Sequence, residues 1–86
     1  MPPAALKPTR DLADESAAIA RLSDRELEVF RLIGAGRGTR EIAQTLNLSV
    51  KTVESYQAHI KEKLSLRSAR ELMQHAIQWN MNEKTA

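Results

Sequence analysis

Between Ser49 and Leu64 the chain runs SVKTVESYQAHIKEKL. At roughly 100° per helical residue, Val53, Tyr56, Gln57, Ile60 and Leu64 share one stripe. The opposite side holds Lys51, Ser55, Ala58 and Glu62, with Glu54 and Lys61 on one flank and Thr52 and His59 on the other. A packing stripe backed by a polar face of low bulk near its start suits a helix that enters a groove. Serine can hydrogen-bond several base edges, alanine can touch a thymine methyl, and glutamate can accept from a cytosine amino group. Lys51, Thr52, Lys61 and Lys63 suit phosphate oxygens instead. The bland alternative is an ordinary amphipathic surface helix. Glu54 also counts against DNA, because a carboxylate near phosphates is repelled unless a base donor receives it.

Such a face needs elements to position it. Thr39 to Leu46 predicts a short helix, capped by Thr39, with Ile42, Ala43 and Leu46 on its apolar side. Asn47 tolerates the left-handed backbone that ends a helix. Ser49 can accept a backbone N–H at the start of the next one. A short helix, a tight turn and a second helix form a helix-turn-helix, whose second helix usually lies in the major groove. Upstream, Ser23 and Glu26 form an S-x-x-E capping box, with Leu22 and Leu27 placed for a hydrophobic staple. That helix carries Leu27, Val29, Phe30, Leu32 and Ile33 and is expected to stop at Gly34-Ala35-Gly36. A second S-x-x-E, Ser68 to Glu71, opens a fourth helix that is predicted to run to about Trp79. On it, Ala69, Leu72, Met73, Ala76 and Ile77 form a stripe wider than a small core needs. Leu72 and Ala76 are expected inside, which leaves Met73, Ile77 or Trp79 for a second copy.

No strand pattern occurs, so the fold class is all-α: a compact four-helix domain containing a helix-turn-helix. Residues 1–21 read as a flexible arm or linker, with all three prolines in the first ten positions and an Ala-rich stretch that could form an extra short helix. Residues 22–80 are the expected domain and 81–86 a polar tail.

Composition narrows the classes. The chain has 86 residues, enough for one domain with a small core. It has no cysteine, so neither disulfides nor a thiolate metal site can brace it. No apolar run approaches a membrane span and no signal peptide is visible, so a cytoplasmic location without membrane contact is expected. Net charge is only +2, from 13 basic and 11 acidic residues. Between Ser49 and Arg67, however, Lys51, Lys61, Lys63 and Arg67 outweigh Glu54 and Glu62. His59 and His75 stand on different helices and read as surface residues rather than metal ligands. No nucleophile–base set occurs, and Gly34, Gly36 and Gly38 follow no strand, so no enzyme, cofactor or metal is expected.

The stretch LSDRELEVFRLIGAGRGTREIAQTLNLSVKTVESYQAHIKEKLSLRSARELMQHAI resembles the carboxy-terminal DNA-binding domain of LuxR/FixJ/NarL-type bacterial transcription regulators. The resemblance rests on L-[ST]-x-R-E at Leu22–Glu26, the glycine-punctuated turn, E-I-A at Glu41–Ala43 and L-S-x-x-T-V-x at Leu48–Glu54. I-x-x-K-L at Ile60–Leu64 and E-L at Glu71–Leu72 complete it. It implies a third helix in the major groove with Glu54, Ser55 and Ala58 reading bases. It further implies backbone contacts from Thr39, Arg40, Ser49, Lys51, Thr52, Tyr56 and Lys61. The fourth helix would mediate a homodimer on two-fold symmetric double-stranded DNA, through Met73, Ile77 and Trp79. The chain would then be the output part of a response regulator in a two-component system. Three positions depart from the pattern. Gln57 replaces a frequent basic residue, Tyr56 a frequent histidine, and Ser65 a frequent glycine. Two alternatives use the same fold: a module that binds another protein, or a sigma-factor-like promoter reader that also contacts RNA polymerase.

Overall fold

The computed structural model describes residues 17–85. After a helical turn at residues 17–20 come α1 (Asp24–Gly34), α2 (Thr39–Leu46), α3 (Val50–Lys63) and α4 (Ala69–Thr85). The described residues contain no strand. None of these helices is long and apolar enough to cross a membrane. The proline-rich lead-in and most of the Ala-rich stretch lie outside the described residues.

Side chains close most helix starts. The Ser23 hydroxyl accepts the Glu26 N–H at 3.1 Å, and the Glu26 carboxylate accepts the Ser23 N–H at 2.9 Å. This is the reciprocal box that the sequence predicts. Ser49 likewise accepts the Thr52 N–H at 3.0 Å at the start of α3. The cap of α2 differs from expectation: it is Gly38, not Thr39. Glu41 reaches back to accept the Gly38 N–H at 3.2 Å. The Thr39 hydroxyl instead faces Gln57 on α3, whose Nε2 lies 3.5 Å away. At α4, Ser68 accepts the Glu71 N–H, but the Glu71 carboxylate returns to the Arg67 N–H at 2.8 Å, one residue before the cap.

Helix ends follow one device. Gly36, Asn47 and Ser65 have φ of 89°, 59° and 58°. Beyond each, an N–H reaches back five residues: Arg37 to Leu32, Leu48 to Ala43 and Leu66 to Lys61. These are Schellman closures, which satisfy carbonyls that the helix leaves free. Ser65 therefore occupies a left-handed position, at a cost of about 1 kcal/mol relative to glycine.

α1 stops at Gly34-Ala35-Gly36 as expected, and Gly34, its last residue, has a second part. A Cβ there would run into the Ala76 carbonyl and come within 2.7 Å of the Asn80 Nδ2. Its missing side chain lets α1 and α4 approach closely. Asn80 then donates to the Arg31 carbonyl at 3.0 Å, near the end of α1. α4 itself runs past Trp79, the expected end, to Thr85.

Val29, Phe30, Ile42, Val53 and Ile60 fill the centre of the core, with Leu72 and Ala76 buried from α4 as expected. Ile19 is only 3% exposed, so the core recruits residues before Leu22. The Leu22 N–H bonds the Ile19 carbonyl, a turn that lets both side chains face inward.

Candidate nucleic-acid interface

The helix-turn-helix sets α3 so that one side is buried and the other free. Val53, Ile60 and Leu64 are buried, while Tyr56 and Gln57 are half-buried beside them. Lys51, Glu54, Ser55, Ala58 and Glu62 are exposed on the far side. The three expected base readers and Lys51 are thus brought to one face. Val50 joins its edge as an exposed apolar side chain that the sequence reading did not single out.

The first turn of α3 is closed by its own side chains. Ser49 donates its hydroxyl to the Thr52 Oγ1 at 2.9 Å, which leaves the Thr52 O–H to point elsewhere. The first amides of a helix lack intrahelical partners and carry the positive end of its dipole. Arg40 is exposed at the start of α2, and neither it nor Lys51 makes an ion pair among the described residues. Thr39 is half-buried against Gln57. Gln57, read from the sequence as a lost phosphate contact, links α3 to α2 instead.

Two lysines at the other end of α3 differ. Lys61 is half-buried and lines a groove of about 160 Å³ together with Arg37, Ile33 and Leu72. Lys63 does not serve the phosphate-facing side. Its Nζ donates to the Glu26 carboxylate at 2.8 Å and to the Arg21 carbonyl at 3.3 Å. The cause is the position of Glu26, which is 5% exposed at the start of α1 and needs a counter-charge. Burial pushes the Glu26 carboxyl up, but the Lys63 hydrogen bond, the Ser23 amide and the charges of Lys63 and His59 outweigh it and hold it below the ordinary value. The His59 Nδ1 lies 3.9 Å from the same carboxylate. Sequence reasoning missed this cluster, since no local pattern joins Glu26 to Lys63.

On α4, Met73 and Ile77 are 46% and 39% exposed. Met81 continues the row one turn further, beyond the helix end that the sequence suggested. Trp79 is half-buried against the core, off that row. α4 packs mainly on α1, so this row lies on a different element from the face of α3.

Comparison with known proteins gives a consistent picture. Residues 20–76 match the family described as bacterial regulatory proteins, luxR family. The oxygen regulatory protein NreC of Staphylococcus aureus strains RF122 and MRSA252 is 45% identical over 74 residues. That alignment covers 86% of this chain and 34% of the relative. NreC of strain JH9 is 43% identical over the same length. The chain thus spans about a third of the length of these relatives. No solved structure matches it.

Proposed function

The chain belongs to the luxR family of bacterial regulatory proteins, and from that premise we propose that α3 enters the major groove of double-stranded DNA and reads a specific sequence. As a luxR-family helix-turn-helix, the chain is a DNA-binding unit of transcription regulation. The observation that carries the finer reading is the split of α3, with Val53, Ile60 and Leu64 buried and Lys51, Glu54, Ser55 and Ala58 exposed together.

In this reading Glu54, Ser55 and Ala58 contact base edges. Thr39, Arg40, Ser49, Lys51, Thr52, Tyr56 and Lys61 meet the backbone and fix the register. Met73 and Ile77, with Trp79 at their margin, meet a second copy on a two-fold symmetric site. The chain acts as the output part of a response regulator. Contact with RNA polymerase belongs to the same proposal for an activator and uses surface that α3 leaves free on DNA. Glu54 and Glu62 on the outer face favour a second reading, in which that face binds another protein.

Selection from a random duplex pool, at low and then moderate salt, tests the proposal. An enriched inverted repeat with half-sites about one helical turn apart is the expected result. A folded protein that enriches nothing at either salt points to the protein-binding reading.

A further inference from the structure

The outer face of α3 can read bases only if the helix is held at one rotation about its axis. Packing of Val53, Ile60 and Leu64 sets which side of α3 faces the core. Hydrogen bonds add a directional constraint, since they tolerate only a narrow range of distance and angle, and those to charged groups are the stronger. Among the described residues, side chains of α3 make such contacts on two flanks. On one flank Gln57 meets Thr39 of α2 at 3.5 Å, which is long. On the other, Lys63 meets Glu26 of α1 at 2.8 Å.

The second contact is the stronger, and its anchor is itself fixed. The Oε1 of Glu26 accepts both the Ser23 N–H, which closes the capping box, and the Lys63 Nζ. The carboxylate therefore cannot move without opening the start of α1. Lys63 is tied a second time, to the Arg21 carbonyl. One turn before it, His59 approaches the other carboxylate oxygen, and His59 directly follows Ala58. A buried ion pair is a poor source of net stability, because desolvation offsets its attraction. What this pair supplies is direction.

We propose that Glu26 is a positioning residue for DNA reading: through Lys63 it sets the rotation of α3, and so the pose of Glu54, Ser55 and Ala58, without touching DNA itself. This rests on the DNA-reading role proposed for α3. It makes Glu26 and Lys63 determinants of specificity rather than of affinity for any duplex.

The test compares Lys63→Met, Glu26→Gln and Lys63→Arg with the unchanged protein, well below each melting temperature. Two quantities are read: the affinity ratio between the selected duplex and an unrelated one, and the salt slope. Lys63 is 40% exposed at its side chain, so Lys63→Met is expected to fold. Lys63→Gln replaces it if it does not. The expected result is a fall of roughly tenfold in the ratio for Lys63→Met and Glu26→Gln, the scale of one weakened base contact. The salt slope stays unchanged, and Lys63→Arg, which can still donate to the carboxylate, restores the ratio. A lowered melting temperature with an unchanged ratio overturns the proposal and leaves the pair a structural one. A slope reduced by about one unit overturns it too, because Lys63 would then be a phosphate contact. If the unchanged protein prefers no duplex, the reading of α3 fails first, and that outcome is separate from a variant that keeps the preference.

Discussion

Lys51 and Lys63 stand at opposite ends of the same helix and have opposite roles. Lys51 is exposed in the first turn of α3, beside free backbone amides, and makes no ion pair among the described residues. Lys63, the last residue of α3, is bound to a buried carboxylate and a backbone carbonyl. Counted along the chain the two are equal contributions to a basic segment. In the fold only one is available to an outside anion. Charge is open to a partner only where the structure leaves it unpaired, as it does at Lys51 and at Arg40.

Removing each lysine separates the two roles. Lys63→Met should have the largest effect on stability, about 2 kcal/mol at neutral pH, because it strands the Glu26 carboxylate in a buried site. Thermal melts check this, and their pH dependence sharpens it. The folded carboxyl of Glu26 is held below its ordinary value of 4.5. Its contribution is therefore full above that value and is lost as pH falls through the lower, folded one. Glu26→Gln should be less stable than the unchanged protein at pH 7, and the gap should close as both are acidified. Next in size, Ser65→Gly should raise stability by about 1 kcal/mol by relieving the left-handed serine just past Lys63. Lys51→Ala should leave stability within about 0.5 kcal/mol. It should weaken binding to all duplexes alike and lower the salt slope by about one unit. Loss on one sequence only would make Lys51 a base reader and break the comparison.

The parts of the fold that were legible in the sequence are those written within a few residues. Ser23 with Glu26, and Ser49 with the turn before it, mark helix starts by chemistry that spans one turn. The sides of α3 were legible because the period of a helix fixes which residues share a face. Contacts across the chain were not. Glu26 and Lys63 are 37 positions apart, and Asn80 and Arg31 are 49 apart. The first pairing turned an expected phosphate ligand into an internal one. The second ties α4 to α1 beyond the expected helix end at Trp79, and Met81 past it continues the Met73 and Ile77 row. The stop of α1 at Gly34-Ala35-Gly36 was legible too, but not the close packing of Gly34 on the Ala76 carbonyl, since a sequence does not show which backbone will lie against it. The proposed base readers Glu54, Ser55 and Ala58 came from side-chain chemistry on the outer face together with the family resemblance, and all three are exposed.

The most direct measurement is the affinity of Ser55→Glu for the selected duplex and for an unrelated one, alongside its melting temperature. Ser55 lies at the centre of the outer face and is exposed, so the added carboxylate costs the fold little. The expected result is complete loss of preference between the duplexes, with helix content and melting nearly unchanged. Retention of the full preference by that variant would take α3 out of the groove and contradict the account.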